Sequence, residues 1–439
     1  MKKNYVTLIC LYGFLNGTVS LASEISESVK KDSVLAENKN LTLGPSRDLF
    51  DDQKNNGYVY QGIRYVPAVA IAFFNQSDPL QDNTKISIKA KTNYVSLNAR
   101  STDPKGAQLL AALEKTQYES LNNEGDNTRY IIRYSSVSQM DKWLMPIVLS
   151  SASDSLSRSS FYVQRELNSS NTQTNALLDQ TLKRTIAKLG ANRTYDNSSV
   201  DLDFKITDMK ISAIATSNGV SMPSRFNNIN YLATGNFTYN LNELTSVFAG
   251  GQYQYYTYDT VGLIDTINPI SRITSISTGI NRILSETIVI SSDIGISQKT
   301  SSRIDLVPNA THTTGSLSSN WKPTKSTRAQ IALSKSTQDV NINGISNLAL
   351  QTLEVDLKTR LNENTAITMN ASHTYISANE VTGYAKDTQL YVGLLWKPAR
   401  KAVISLGYYK TQRRTTHGVS SLVPEFTDNK SLIDFKYFL

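Results

Sequence analysis

Apolar and polar residues alternate along most of the chain after about residue 64, which is the pattern of a β-strand with two different faces. In 353–360, three apolar residues alternate with four charged residues. Similar alternation occurs in 200–206, 228–240 and 288–297. Each segment predicts a strand with one apolar and one polar face, which suits a soluble sandwich and a membrane barrel equally well.

The spacing of short turns in the second half of the chain separates these two classes. Intervals of 43, 39, 38 and 37 residues separate the turn residues Asn242, Ser285, Thr324, Asn362 and Ala399. Each interval holds two strands of about 12 residues and a longer polar loop, such as 258–270 or 300–308. Short turns at one end and long loops at the other are typical of outer-membrane barrels.

The same alternation of turns and loops, counted back to residue 61, predicts about 18 strands, with 16 as the alternative. The predicted fold is all-β: a transmembrane antiparallel up-and-down β-barrel over 61–439, with short periplasmic turns and longer extracellular loops. Both termini are then periplasmic, as an even strand number requires. After the first 22 residues no run of 18 apolar residues occurs, so no membrane-spanning helix is expected.

The first 22 residues have the pattern of a signal peptide. Lys2 and Lys3 precede an apolar stretch, and Ser20-Leu21-Ala22 forms a small-residue pattern with the predicted cleavage site after Ala22. The single Cys10 lies within this segment, so the exported chain is expected to lack disulfides and thiolate metal sites. Residues 23–60 are charged and irregular, which predicts a flexible periplasmic segment, with a plug as the alternative.

The composition agrees with a barrel and excludes other classes. Hydrophobic residues make up only 39% of the 439, as expected when every second strand residue faces lipid. Ile, Val and the 23 Tyr residues recur throughout, which argues against intrinsic disorder. The net charge is +8, but no basic cluster with interleaved aromatic residues indicates nucleic-acid binding.

The inward phase of the predicted strands carries charges of both signs. The predicted lumen-facing residues are Arg129, Arg133, Asp201, Asp203, Lys205, Asp293, Arg328, Glu354, Asp356, Lys358, Arg360, Asp434 and Lys436. One interpretation is a wall of structural ion pairs. The other is a weakly cation-lined passage for a neutral or anionic sugar polymer or a small solute.

Two further sets of residues predict how the barrel sits in a membrane. An aromatic girdle at the periplasmic interface is predicted from tryptophans beside tight turns, namely Trp143, Trp321 and Trp396. The C-terminus resembles the signal by which outer-membrane barrels are recognised for assembly, and its outward residues are Ile433, Phe435, Tyr437 and Leu439. The final residue departs from that signal, because it is leucine and not aromatic.

Several short motifs together resemble one family. They are the segment Gly62-Ile63-Arg64-Tyr65-Val66-Pro67 leading to Asp82-Asn83, the Trp321-Lys322-Pro323-Thr324-Lys325-Ser326-Thr327 turn with its repeat at Trp396, and a Tyr-rich ending. Over about residues 60–439 the chain resembles the "Putative beta-barrel porin 2" family of Gram-negative bacteria. This resemblance implies an outer-membrane barrel, often encoded beside exopolysaccharide or capsule genes, and it carries over no catalytic residues.

The residues for catalysis or metal binding are few. Only His312, His373 and His417 are present, and they are too scattered for a motif, so we expect no enzyme activity, cofactor or metal. The leading hypothesis is a porin-like channel or export pore, and the alternative is a non-conducting structural or accessory barrel. A barrel enzyme ranks third. The expected partners are outer-membrane lipid, lipopolysaccharide, the barrel-assembly machinery and a polysaccharide or small-solute cargo, with no nucleic acid.

Overall fold

The chain forms antiparallel β-strands throughout the part that the structure describes. The computed structural model describes residues 57–77, 88–102, 106–118, 127–155, 181–211, 214–215, 221–222, 227–258, 270–302, 309–342, 345–377, 383–416 and 425–439. The strands are β1 (Tyr58–Tyr60), β2 (Ile63–Gln76), β3 (Ile88–Ser101), β4 (Gln108–Tyr118), β5 (Asn127–Met140), β6 (Trp143–Ser155), β7 (Thr181–Thr194), β8 (Ser198–Ile211), β9 (Ile214–Ala215), β10 (Ser221–Met222), β11 (Asn228–Asn242), β12 (Thr245–Tyr258), β13 (Ser271–Ser285), β14 (Ile288–Ser301), β15 (Ala310–Thr324), β16 (Thr327–Ile342), β17 (Ile345–Asn362), β18 (Thr365–Ser377), β19 (Ala385–Ala399), β20 (Ala402–Thr415) and β21 (Phe426–Phe438).

Eighteen of these strands form one closed antiparallel barrel. β2 to β8 and β11 to β21 each pair with the next strand, β8 pairs with β11, and β21 pairs with β2. The closing register runs from Ala68 opposite Phe438 to Gln76 opposite Lys430. Closure leaves no long sheet edge with unpaired backbone groups. The predicted 18-stranded barrel is confirmed, and its strands are longer than the expected 12 residues, at 13 to 15 for most of them.

The two faces of the wall differ as the alternation predicts. In β14, Ile294 and Ile296 are 67% and 51% exposed, whereas Ser297 is 4% exposed on the opposite face. We call the face that carries the large exposed apolar side chains the apolar face, and the opposite face the polar face. Because successive side chains of a strand point to opposite sides, each residue's phase assigns it to one of them.

The five predicted turn residues each end a strand. The last residues of β11, β13, β15, β17 and β19 are Asn242, Ser285, Thr324, Asn362 and Ala399. At each turn the pairing register shifts, which marks a β-bulge or irregularity. The predicted spacing of short turns at one end of the barrel is therefore confirmed. We call this end the turn end and the other the loop end.

Four of these turns are closed by the same side-chain hydrogen bond. The Asn362 carboxamide oxygen accepts from the backbone N–H of Asn364 at 2.9 Å. Equivalent bonds reach the backbone two residues on from the side chains of Asn242, Ser285 and Thr324. Asn and Ser/Thr side chains of this kind replace part of the backbone hydrogen bonding of a tight turn. Ala399, at the fifth turn, has no side chain that can do so.

One loop-end connection differs from the prediction. A longer polar loop was expected between Thr324 and Asn362, but β16 and β17 are 16 and 18 residues long and only residues 343–344 separate them. Those residues are Asn-Gly, a pair that favours a two-residue hairpin connection. The other expected loops, including 258–270 and 300–308, lie mostly outside the described residues.

The predicted signal peptide and most of the predicted flexible segment 23–60 lie outside the described residues, so both stay predictions. The end of that segment is not irregular, because β1 pairs with β2 and the Tyr58 ring stacks on Tyr65 at 5.2 Å. Gln61 and Gly62, which connect the two strands, both have positive φ angles, as a tight hairpin turn requires. Among the described residues there is no helix long and apolar enough to cross a membrane.

Candidate functional site

The polar face carries most of the predicted charged residues, and the structure brings several of them together. On β4 and β5, Glu114 is buried and lies 3.7 Å from Arg129. The two residues are directly opposite in register, so the pair is a cross-strand contact. Arg133 lies four residues further along β5, opposite Leu110 and Ser150, and is exposed.

β7 and β8 hold a compact charged network. Lys188 of β7 lies 3.0 Å from Asp203, and the Asn192 carboxamide donates to Asp201. Lys205 is directly opposite Lys188 in register. Sequence reasoning predicted Asp201, Asp203 and Lys205 but missed Lys188 and Asn192, whose segment has no strong alternation.

β16, β17 and β18 hold the largest group of predicted residues. Arg328 is directly opposite Lys358, whose ammonium lies 4.0 Å from the Asp356 carboxylate. The Asn370 carboxamide donates to Glu354 at 3.1 Å. Arg360 follows Lys358 on the same face, toward the turn. The Asn370–Glu354 bond joins β18 to β17, whereas Lys358 and Asp356 lie two residues apart on β17.

The remaining predicted residues lie elsewhere on the polar face. Asp293 of β14 accepts a hydrogen bond from Ser316 of β15. Asp434 of β21 is buried, and Lys436 lies over the rings of Tyr94 and Phe438 at 5.9 Å and 5.1 Å. The predicted set is therefore distributed over several strands and does not form a single centre.

A strong ion pair on β19 and β20 was not predicted. Arg413 donates from Nε and Nη2 to the two carboxylate oxygens of Asp387, both at 2.6 Å. The guanidinium also lies over the Phe426 ring at 5.3 Å. Arg413 lies near the end of β20, which continues to Thr415. The alternation within β20 predicts its position, because Arg413 shares its phase with the buried Tyr409 and so lies on the same face.

Apolar side chains are buried on the polar face beside the closing seam. One cluster comprises Val66, Ala68, Ala366, Leu395, Val403 and Phe438. A second comprises Ala72, Phe74, Ala90, Tyr409 and Leu432, with Tyr391 packed against it. The Tyr391 and Tyr409 rings stack at 4.4 Å. This part of the wall is filled by its own side chains.

Two glycines make room for the Tyr391 ring. Gly393 and Gly407 are directly opposite each other in register. A Cβ at Gly393 would lie 2.6 Å from Tyr391 Cζ and 2.9 Å from Thr368 Oγ1, and a Cβ at Gly407 would lie 3.2 Å from Tyr391 Cε2. The Tyr391 ring therefore occupies space that a side chain at residue 393 or 407 would fill.

The predicted girdle residues all lie near the turn end. Trp321 and Trp396 are exposed, each three residues before the end of its strand, and Trp143 begins β6. The Arg193 guanidinium lies 5.7 Å from the centre of the Trp143 ring. Their contact with the membrane interface stays a prediction.

The predicted C-terminal assembly residues share the apolar face of β21. All four are exposed: Ile433, Phe435, Tyr437 and Leu439. The backbone N–H of Leu439 donates to the Pro67 carbonyl at 3.0 Å, so the last residue is joined to β2. Recognition of this strand by assembly machinery stays a prediction.

The described residues contain no group of three metal-ligating side chains. His373 Nδ1 lies 2.9 Å from Thr388 Oγ1, on the apolar face, and His417 is outside the described residues. The expected absence of enzyme activity and of a cofactor remains an expectation.

A closed antiparallel barrel with exposed apolar side chains on one face and charged networks on the other has a porin-like, outer-membrane β-barrel fold. The family described as "Putative beta-barrel porin 2" matches residues 151–424. The chain belongs to this family. The two Trp-Lys-Pro turns lie inside the matched range, whereas Gly62-Ile63-Arg64-Tyr65-Val66-Pro67 and the Tyr-rich ending lie outside it.

Several solved barrels are similar to the chain at low identity. The FrpB iron transporter (F3-3 variant) of Neisseria meningitidis is 10% identical with a TM-score of 0.46, over 80% of this chain and 62% of FrpB. OpdQ of Pseudomonas aeruginosa is 10% identical with a TM-score of 0.44, over 87% of this chain and 100% of OpdQ. The siderophore receptor PirA of Acinetobacter baumannii is 8% identical with a TM-score of 0.44, over 85% of this chain and 80% of PirA. The chain thus spans less than two thirds of the length of FrpB. No curated protein sequence matches the chain.

Proposed function

We propose that this protein is a porin-like channel of the bacterial outer membrane, for polar solutes or for an exopolysaccharide in export. The observation that carries the proposal is the division of the closed wall into an apolar and a polar face. Lipid would contact the apolar face, and the polar face would line a water-filled lumen. The mixed charges of β7–β8 and β16–β18 would then face the solute.

The exopolysaccharide cargo is supported by the family resemblance alone. The alternative cargo, a small polar solute, is supported to the same degree by the neutral side chains on the polar face of β13 to β15. These include the hydrogen-bonded pairs Ser275–Ser297 and Asn281–Ser291. We further propose export through the predicted signal peptide, with lipid, lipopolysaccharide and the barrel-assembly machinery as partners. No enzyme activity and no nucleic-acid binding are proposed.

A second candidate function is a non-conducting structural or accessory barrel of an envelope complex. The buried apolar clusters of the seam favour it, because they fill part of the polar face with packed side chains. A lumen filled in this way over its whole width would hold the barrel together without an open path.

Single-channel conductance of the detergent-purified barrel in a planar bilayer separates the two candidates. Discrete open steps are expected from a channel, and the ratio of anion to cation current reports which charges dominate the lumen. A folded, heat-modifiable barrel that never conducts would exclude the simple channel and support the accessory barrel. Hydrolysis of lipid or peptide by the pure protein would instead support an enzyme.

A further inference from the structure

We propose that the turn end of β16 and β17 binds oxyanions through Arg328, Lys358 and Arg360, which we call the basic cluster. This inference rests on the proposed function, because the polar face must line the lumen. Arg328 and Lys358 are directly opposite in register, and Arg360 follows Lys358 two residues nearer the turn. Side chains so placed share one face, with neighbouring Cβ atoms about 5–7 Å apart.

Three positive charges are concentrated in this part of the polar face. Like charges directly opposite each other destabilise a sheet. On β18, the residues opposite Lys358 and Arg360 are Thr368 and Ala366, neither of which is acidic. Asp356 lies 4.0 Å from Lys358, and Glu354 is further from the turn. Although all three cations contact other groups of the wall, the cluster has an excess of positive charge.

The charged network of β7 and β8 shows what a balanced arrangement looks like. Lys188 and Lys205 are also directly opposite, but Asp203 lies 3.0 Å from Lys188 and Asp201 follows on the same face. The Lys188 side chain is only 8% exposed, whereas that of Lys358 is 31% exposed. Lys188 is thus buried within its network, whereas Lys358 of the basic cluster is accessible to solvent.

Amide side chains lie beside the basic cluster. Gln330 follows Arg328 on the same face and is opposite both Asn320 and Asp356. Asn320 Oδ1 is buried and has no hydrogen-bond partner among the described residues. Guanidinium groups bind carboxylate or phosphate oxygens with two parallel hydrogen bonds, and amides bind hydroxyl groups. The combination fits an oxyanion carried on a hydroxylated solute.

The test is calorimetric titration of the folded barrel in detergent with oligogalacturonate, an acidic sugar oligomer, and with neutral maltotetraose. Oligogalacturonate is expected to bind, more tightly at low ionic strength, and maltotetraose to bind far more weakly. The triple variant R328Q/K358Q/R360Q is expected to lose about tenfold or more in affinity for oligogalacturonate. Displacement by inorganic phosphate would indicate a general oxyanion site, whereas no displacement would indicate a site for carboxylates on a sugar chain.

The matched control is K142Q/R282Q/K401Q, which removes the same charge from exposed side chains at or beside other turns at the same end of the barrel. It is expected to change the affinity by less than about twofold, since only long-range attraction is lost. Equal losses in both triple variants, or no binding of either oxyanion by the folded wild type, would overturn the basic cluster. If the barrel conducts ions but does not bind oligogalacturonate, the basic cluster is rejected as a binding site and the channel is not. If it binds oligogalacturonate but does not conduct, the channel is rejected and the binding site is not.

Discussion

The ion pair between Arg413 and Asp387 gives the most direct test of how the polar face contributes to stability. Its side chains are 4% and 15% exposed, and two hydrogen bonds of 2.6 Å join them. Asp387→Asn removes the charge of the acceptor but keeps the size of the side chain. It removes the negative charge that lies against a buried guanidinium, which also lies beside the Phe426 ring.

The expected cost follows from this geometry. Hydrogen bonds to charged groups contribute about 1.5–3 kcal/mol each, and breaking a buried ion pair from one side costs about 3–5 kcal/mol. We expect D387N to lower the free energy of unfolding by about 3 kcal/mol. The assay is urea unfolding of the barrel folded in detergent or lipid vesicles, followed by tryptophan fluorescence and by heat-modifiable migration on gels.

Asp208→Asn is the matched control. Asp208 pairs with Lys210 at 3.4 Å, but their side chains are 34% and 59% exposed, so solvent screens the interaction. Exposed pairs contribute about 0–1 kcal/mol, and D208N is expected to fall in that range. If D387N lost no more stability than D208N, the buried pair would not hold β19 to β20 and the reasoning would be wrong.

Two further predictions concern the packing and the turns. Gly393→Ala forces a methyl group against the Tyr391 ring and is expected to lower the free energy of unfolding by about 1–3 kcal/mol. In Gly251→Ala the new Cβ would lie 4.0 Å from its nearest neighbour, so the free energy of unfolding in urea should change by less than about 0.5 kcal/mol. Asn362→Ala removes a turn hydrogen bond and should cost about 1 kcal/mol in the same assay, and Ala399→Asn should recover part of such a bond. Equal unfolding curves for the two glycine variants, or for N362A and the wild type, would contradict these assignments.

The turns explain why the barrel could be predicted from the sequence. Asn242, Ser285, Thr324 and Asn362 each bond their own local backbone, so the signal is contained within about three residues. The alternation of Ile294 and Ile296 with polar residues is similarly local. Features that arise within one strand or one turn can be predicted from the sequence without knowing which strands pair.

The features that sequence reasoning missed depend on strand pairing. Arg413 and Asp387 are 26 residues apart, and only the register of β19 and β20 places them opposite each other. The short connection between β16 and β17 was missed because the regular 37–39-residue spacing suggested a loop where both strands extend. Gly393 showed no distinguishing pattern, since its role depends on a tyrosine ring that lies over two strands.

The polar face is uneven around the barrel, and this bears on any path through it. The buried clusters lie on six consecutive strands of the wall, β18 to β21, β2 and β3, so the strands diametrically opposite them in an 18-stranded barrel are β7, β8 and β11 to β14. The polar face of β13 to β16 carries small residues, including Ser275, Ser277, Gly279, Ser291, Gly295, Ser297, Ser316, Ser318 and Ser334. Bulky side chains at the seam and small ones on the opposite strands β13 and β14 would displace an open path away from the seam, toward the side that includes β13 and β14. The basic cluster on β16 and β17 borders that side, so we expect a solute that passes to meet it.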